Sequence, residues 1–289
     1  MPPPVTTTVA ATRMCETLRG LRDPERPRRA MRVQGVYRSA LNLTSGDGTL
    51  VAIAVERVGG LPHGILVRDT GDLRELGIRP GMTATMGEGR VVVGGVLHVD
   101  LAAARPWSAA LPRLDARSWP HRATLVHRLV AAHQPRAGVD AVPAARASLD
   151  DLGAAIARGD RLGVVDAADR LIGLGPGLTP SGDDALAGVE AALHVVGHPL
   201  AGSVSDALDD LDRRTTTVSA AMLRHAVRGE APERIHRLVA AALGPTTLGL
   251  VEAIREAVAW GATSGADTLA GVLTALDAAT SSIDRWQAA

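Results

Sequence analysis

Two stretches in the C-terminal half of this 289-residue chain repeat each other. Residues 181–193 read SGDDALAGVEAAL and residues 264–276 read SGADTLAGVLTAL, an offset of 264 − 181 = 83 with nine of thirteen positions identical. A glycine inside a helix costs up to about 1 kcal/mol relative to alanine, so close helix packing should compensate for it. The repeat therefore predicts two equivalent helices, related by a pseudo-twofold axis, that cross at Gly188 and Gly271.

Each copy of the repeat also has the pattern of a helix start. Ser181 and Ser264 belong to the residue types that cap helices, and Asp184 and Asp267, three positions later, complete a capping box. In this structural interpretation each serine bonds the backbone of its own helix. It explains the Ser, Ala and Gly of the repeat better than it explains the acidic residues.

The N-terminal part of the chain has the texture of a small β domain. Short runs rich in Val, Ile, Leu and Thr are separated by Gly- and Pro-containing turns between residues 32 and 104, which is typical of a small barrel or sandwich. Residues 1–31 are rich in Pro, Thr and Arg, and we expect a flexible tail with a short helix near Arg13–Leu21. The expected strands are Val33–Arg38, Thr49–Glu56, Gly64–Val67, Met82–Met86, Arg90–Val93 and Val96–Val99, with one helical turn at Asp72–Leu76.

A connector over residues 105–120 leads to a helical domain over residues 121–289. Apolar residues recur there every three to four positions in Ala-rich segments. The predicted fold class is α+β, a small N-terminal β-barrel-like or sandwich domain followed by an α-helical domain with an internal loop–helix repeat. The expected helices lie near 121–133, 143–158, 160–172, 182–196, 203–228, 231–243, 247–259 and 265–282.

The charge balance and the missing residue types exclude several classes of function. The 31 basic and 31 acidic residues cancel, which argues against a nucleic-acid or membrane-surface binder. The sequence contains no lysine, so it cannot use a Schiff base or a phosphate-loop lysine. The single cysteine, Cys15, allows no disulfide, and the N-terminus does not have the pattern of a secretory signal, so we expect a cytoplasmic protein.

A Gly- and Pro-rich loop, GLGPGLTP at residues 173–180, precedes the first copy of the repeat. Such a loop before a helix exposes backbone N–H groups that suit an anion. The adjacent Asp183 and Asp184 would repel a bare phosphate, and they should instead meet N–H donors of a ligand, a metal or an arginine. The pattern therefore favours a small ligand with an anionic group at one end and amide or ureido N–H groups at the other.

Three segments of the helical half together resemble the AllH-like family, a family of oxamate carbamoyltransferase subunits. They are GLGPGLTPSGDDALAG at residues 173–188, RTTTVS at residues 214–219 and GATSGADTLAG at residues 261–271. SALNL at residues 39–43 is similar to the β part of that family more loosely. The resemblance implies carbamoyl transfer between oxalurate and phosphate, yielding oxamate and carbamoyl phosphate, in allantoin (purine) catabolism, with other subunits as partners.

Candidate site residues follow from the loop, the repeat and this resemblance. Asp183, Asp184 and Arg214 are the expected catalytic residues, and Arg214 is the candidate anion clamp because the chain has no lysine. Arg213 is the alternative clamp, and a surface salt bridge of this arginine pair with Asp209, Asp210 or Asp212 is the alternative role. The expected substrate-binding residues are Gly175, Gly177, Thr179, Ser181, Gly182, Thr216, Ser219, Ser264, Gly265, Asp267 and, from the β domain, Asn42.

Two other interpretations of the helical half stay open. In one, the chain is a non-catalytic scaffold or regulatory subunit, and the repeat only packs helices. In the other, Asp183, Asp184 and Asp267 hold a metal in a hydrolase or transferase. No cofactor is expected to be required, and a divalent ion such as Mg²⁺ has no support from a metal-binding motif. The row Glu190, His194 and His198 has spacing that zinc can use, but it lies at a helix end and we discount it.

Overall fold

A computed structural model describes residues 6–133, 138–247 and 249–281 of the chain. The chain divides into two compact units, residues 1–109 and residues 110–289. The first unit consists of strands and short 3-10 helices, and the second is helical, so the predicted α+β class is confirmed. In the described part of the chain, no helix combines the length and the apolar character needed to cross a membrane.

The first unit is a closed barrel of eight strands. The hydrogen-bonded order is β5-β4-β3-β2-β6-β7-β8-β1, and β1 also pairs with β5, which closes the sheet. A further strand, β9, pairs with β1 in parallel. The strands are β1 (Thr7–Cys15), β2 (Arg29–Val36), β3 (Ala40–Thr44), β4 (Leu50–Val55), β5 (Gly64–Val67), β6 (Thr83–Gly87), β7 (Arg90–Val93), β8 (Leu97–Asp100) and β9 (Arg105–Trp107).

Our prediction of a flexible tail is wrong for residues 7–15, because these residues form the strand that closes the barrel. In β1, Ala11 pairs opposite Val67 of β5, and Thr7 to Ala10 pair in parallel with β8. The predicted helix at Arg13–Leu21 is instead the end of β1 followed by a 3-10 helix, Glu16–Arg22. The Pro and Arg content concealed a Thr/Val-rich segment that has high strand propensity. The expected connector is also interrupted at both ends, since β9 and the first helix enter it.

The second unit contains the helices that the apolar spacing indicated, with one exception. The segment predicted as one helix over 203–228 is broken into a 3-10 helix, Ser203–Ala207, and two separate helices, because Asp210 adopts a left-handed conformation and Thr215 is extended. The helices are α1 (Trp119–His133), α2 (Pro143–Arg158), α3 (Arg161–Leu171), α4 (Ser181–Val196), α5 (Leu211–Arg214), α6 (Thr217–Ala226), α7 (Glu233–Leu243), α8 (Leu250–Val258) and α9 (Ser264–Thr280).

The two copies of the repeat are the starts of α4 and α9, and these helices cross at the predicted glycines. A Cβ atom on Gly188 would lie 2.0 Å from the carbonyl oxygen of Thr268, and one on Gly271 would lie 1.9 Å from that of Ala185. These pairs are 80 and 86 residues apart (268 − 188 and 271 − 185), values that bracket the repeat offset of 83, so equivalent stretches of the two copies contact each other. The backbones therefore touch directly, as the glycine cost required.

Candidate functional site

The first turns of α4 and α9 meet, and each serine of the repeat faces an aspartate of the other copy. The hydroxyl of Ser264 lies close enough to Asp184 to lower its pKa, and the hydroxyl of Ser181 does the same for Asp267. The N-cap positions are Pro180 and Thr263, and neither makes a side-chain capping bond. The predicted capping boxes are therefore wrong, because the serine–aspartate pairing runs between the helices instead of within each one.

The glycines at the second repeat position serve the packing of each helix start. A Cβ on Gly182 would lie 2.1 Å from the carbonyl oxygen of Leu171, and one on Gly265 would lie 1.7 Å from that of Ala257. Their backbone N–H groups donate to the carbonyls of Leu174 and Trp260, both at 2.9 Å. These two amides, expected to bind substrate, are thus engaged within the protein.

The Gly-rich loop keeps part of its backbone open. Gly175 and Gly177 have φ angles of +113° and +103°, which strongly favour glycine. Gly175 packs against Ser181, whereas a Cβ on Gly177 would meet no atom within 4 Å, and Pro176 to Leu178 are exposed. The loop thus presents exposed backbone directly before the N-terminus of α4, where the helix dipole favours an anion.

Asp183 connects the loop to the start of α6. The backbone N–H of Gly173 donates to Oδ1 at 2.8 Å, and the hydroxyl of Thr215 donates to Oδ2. The residue is only 2% exposed, and burial raises the pKa of its carboxyl, while Thr215, Gly173 and Ser219 oppose that rise. Since both carboxylate oxygens have protein partners, Asp183 holds the loop against α6.

Arg214 and Thr216, two further candidates, are bound within the protein. The Arg214 guanidinium donates to the carbonyls of Ala207 at 2.9 Å and Asp169 at 2.7 Å, and it forms an ion pair with the Asp169 carboxylate. Its partner is therefore Asp169, not one of the neighbouring aspartates at 209–212. The Thr216 hydroxyl caps α6 by accepting from the Ser219 amide, and it donates to the carbonyl of Leu178 in the loop at 2.5 Å.

Asp184 and Asp267 differ from Asp183 because each keeps an unsatisfied oxygen. The Oδ2 atoms of both residues are buried and have no hydrogen-bond partner among the residues that the structure describes. Burial raises the pKa of Asp184 well above its usual value, and the charges of Asp267 and Asp183 add to that rise. The hydroxyls of Thr179 and Ser264, 2.6 Å apart, lower it in part. Burial likewise raises the pKa of Asp267.

A cleft within the helical unit has Asp184 on its lining. Its walls are mostly apolar, and one further carboxylate, Glu230, lies on its lining. The Glu230 carboxylate is paired with His225 and Arg228. The remaining wall includes Ala187, Met222, Ala226, Pro232, Ile235 and Trp260. A mostly apolar cleft with a few polar groups is the usual form of a small-molecule site.

Two remaining candidates lie in different surroundings. Ser219 is 1% exposed, its hydroxyl has no hydrogen-bond partner in the described ranges, and it lies close enough to Asp183 to lower the pKa of that carboxyl. Asn42 belongs to the first unit, where it is buried in β3 and pairs across the sheet with Gly35 and Ala52. Its expected role as a donor to the substrate stays a prediction.

Sequence reasoning missed three partners of the acidic residues: Gly173 and Thr215 on Asp183, and Val139, whose backbone N–H donates to Oδ1 of Asp267. Thr215 had a signal, since it lies in the motif at residues 214–219. Val139 had no such signal, because every residue except proline has a backbone N–H, and the residue type does not show which of these groups donates to an aspartate. Within residues 6–133, 138–247 and 249–281, no three His, Cys, Asp or Glu side chains are grouped so that they could hold a metal ion.

Comparison with known proteins agrees with these motifs. The model of oxamate carbamoyltransferase subunit AllH matches residues 171–276, which contain the loop, both copies of the repeat and the cleft. The model of the AllH family N-terminal domain matches residues 10–106, which form the barrel. No solved structure gives a significant match to the chain. The two matches cover most of the sequence, and the chain belongs to the family of oxamate carbamoyltransferase subunits, AllH.

Proposed function

We propose that this subunit binds oxalurate and oxamate at the start of α4 and takes part in carbamoyl transfer. In the forward direction, an oxygen of hydrogen phosphate forms a bond to the carbamoyl carbon of oxalurate. The bond from that carbon to the adjoining nitrogen breaks, and oxamate leaves as its nitrogen gains the proton that phosphate gives up. The products are oxamate and carbamoyl phosphate, which would place the reaction in allantoin degradation in the cytoplasm.

The observation that carries the proposal is the buried carboxyl of Asp184 on the lining of the cleft. Its Oδ2 has no hydrogen-bond partner in the part of the chain that the structure describes, and a buried oxygen without a partner is costly. The ureido and amide N–H groups of oxalurate and oxamate are suitable donors for it. A ligand of this kind would satisfy an atom that the fold itself leaves unsatisfied.

The carboxylate end of the ligand needs a different environment. Because Arg214 is engaged with Ala207 and Asp169, we assign the anion to the exposed part of the loop at residues 176–178. The N-terminus of α4 adds a favourable dipole there. This arrangement separates the anionic end from the acidic residues, as the ligand chemistry inferred from the sequence requires.

Asp184 also has a suitable proton affinity for the reaction. Burial and the neighbouring carboxylates keep its pKa well above the usual value, so the carboxyl can hold a proton at a pH where an exposed aspartate cannot. We assign to it the transfer of a proton to the leaving nitrogen of oxamate, followed by recovery of the proton of hydrogen phosphate. Asp183 then acts as a positioning residue, since it holds the loop through Gly173 and Thr215.

The scaffold alternative has its own support, because the crossing at Gly188 and Gly271 explains the Gly and Ala of the repeat without any ligand. It does not explain why a cleft is lined by a buried aspartate whose Oδ2 has no hydrogen-bond partner among the described residues. The two interpretations differ in one measurable respect. A scaffold binds no substrate by itself, whereas the proposed subunit binds oxamate.

Calorimetric titration of oxamate into the full chain and its Asp183→Asn variant tests the proposal. The variant loses one of the two carboxylate oxygens that accept from Gly173 and Thr215, and the loop is then misplaced. We therefore expect the affinity for oxamate to fall by about tenfold, the effect of losing one charged hydrogen bond. Asp166→Asn makes the same chemical change on the exposed face of α3 and should bind like the wild type. Equal affinity in all three proteins, with helical circular dichroism retained, would contradict the proposal.

A further inference from the structure

The helical unit is built from two corresponding halves that extend beyond the repeat itself. In each half, a helix is followed by a residue whose carbonyl accepts the N–H of the second repeat glycine: Leu174 for Gly182, and Trp260 for Gly265. The next residue is a left-handed glycine, Gly175 or Gly261, that packs against the repeat serine. Thus α3 and α4 correspond to α8 and α9.

The correspondence continues in the segments that precede α2 and α7. Residues 138–143 read GVDAVP and residues 229–232 read GEAP, and each segment has an acidic residue, an alanine and a proline in that order. Both begin with a left-handed glycine, with φ angles of +95° for Gly138 and +72° for Gly229. The first segment is two residues longer, and one of its two additional residues is Val139.

The longer segment reaches the aspartate of the second half. The backbone N–H of Val139 donates to Oδ1 of Asp267, and a Cβ on Gly138 would lie 2.1 Å from the same oxygen. The shorter segment has no such contact in the first half. Its residues Glu230, Ala231 and Pro232 line the cleft instead, and Asp184 lies on the same lining. Asp267 therefore accepts a hydrogen bond from a backbone amide, whereas the corresponding Asp184 lies on the cleft.

We propose that Asp184 is the amide-recognition residue of the site, and that it accepts an N–H of a primary amide, –CO–NH₂, just as Asp267 accepts the N–H of Val139. This assignment rests on the proposed function and specifies which end of the ligand the cleft holds. Asp267 of the second half thus accepts from a backbone amide of the first half, in the way that we assign to Asp184 and the amide of the ligand.

The surroundings of Asp184 favour an amide over a second carboxylate. Its neighbours include Asp183 and Asp267, whose charges already raise its pKa, and Glu230 lies on the same cleft. Another negative group would be repelled at this end. The apolar wall with Trp260 and Ile235 keeps water away and makes an unsatisfied donor or acceptor costly, which increases discrimination between ligands.

Oxamate and pyruvate are the probes for this proposal, because they have the same charge and nearly the same shape and differ in one group, –NH₂ against –CH₃. The full wild-type chain should bind oxamate at least about tenfold more tightly than pyruvate, since pyruvate leaves Oδ2 of Asp184 without a donor. In Asp184→Ala the acceptor is gone, and we expect the two dissociation constants to agree within about threefold. Asp166→Ala removes an exposed carboxylate and should keep the wild-type preference.

Thermal melting supplies a second readout that does not depend on ligand. Asp267→Ala removes the acceptor of the Val139 amide and should lower the melting temperature of the helical unit. Asp184→Ala should lower it less, because it removes no bond to a backbone amide like the one between Val139 and Asp267.

Equal affinity of the wild type for oxamate and pyruvate would overturn the assignment of Asp184 while leaving the proposed function standing. An unchanged preference in Asp184→Ala would do the same. If the wild type bound neither oxamate nor pyruvate, both the assignment and the proposed function would fail. Loss of the preference in Asp184→Ala alone, with Asp166→Ala like the wild type, is the supporting result.

Discussion

Replacement of Gly188 by alanine tests the close crossing of α4 and α9. The added Cβ would lie 2.0 Å from the carbonyl oxygen of Thr268, and this oxygen belongs to the backbone of α9, so it cannot rotate away. The helices must separate by roughly 1 Å, which weakens the packing along their shared interface. Overpacking of this kind costs about 1–3 kcal/mol, and we expect the upper end. The higher helix propensity of alanine offsets about 1 kcal/mol of this cost, so we expect a net loss of about 2 kcal/mol in the free energy of unfolding.

For a unit of this size, that loss corresponds to a fall in melting temperature of about 4–8 °C. Circular dichroism at 222 nm reports on it, because the helices dominate that signal. Gly153→Ala is the matched control, since it makes the same change in α2 but meets only the methyl group of Thr274, a side chain that can move. We expect the control to stay near the wild type.

The double variant Gly188→Ala/Gly271→Ala sharpens the same test. Once the helices have separated to accommodate the first methyl group, part of the space for the second is already open. The double variant should therefore lose less stability than the sum of the losses in the two single variants. A rise in melting temperature in Gly188→Ala, as in an ordinary exposed helix, would refute the backbone contact and with it the pseudo-twofold arrangement of the site.

Two further predictions concern a buried acid and the loop. Burial raises the pKa of Glu190 from 4.5 to about 7, although the Glu190 carboxylate accepts from the amides of Gly202 and Val204. The contribution of Glu190 to the free energy of unfolding is therefore present below pH 4.5 and is lost as the pH rises to about 7. Glu190→Gln should remove on the order of 3 kcal/mol of pH dependence in that window, measured as melting temperature against pH, whereas Glu252→Gln on an exposed face should not. Gly175→Ala should weaken oxamate binding more than Gly177→Ala, because only the first places a Cβ 2.8 Å from the Ser181 nitrogen; equal effects would exclude crowding at Ser181 as the cause.

The parts of the fold that follow from local patterns were predictable from the sequence. The glycines of the repeat indicated the crossing, because a helix tolerates glycine there only for close packing, and the bounds of α2 and β5 match the predicted ones. The strand β1 was not predictable in the same way. Its role depends on partners in β5 and β8 that are distant in sequence, and its own composition resembled a tail.

The site shows the same division between local and long-range information. The loop, Asp183 and Asp184 were indicated by their residue types and order. The pairing of Ser181 with Asp267 and of Ser264 with Asp184 was not, because a capping box and a contact between two helices share one sequence pattern. The engagement of Arg214 with Ala207 and Asp169 depends on where α3 and the 3-10 helix at Ser203–Ala207 pack, which the motif does not encode.

The central claim is that this subunit itself holds the amide end of the substrate. Calorimetric titration of oxamate into the full wild-type chain, with and without magnesium, tests it most directly. We predict one saturable site per chain with the same affinity in both conditions. No saturable binding would contradict the claim and favour a scaffold, and binding that appears only with magnesium would favour the metal-assisted alternative.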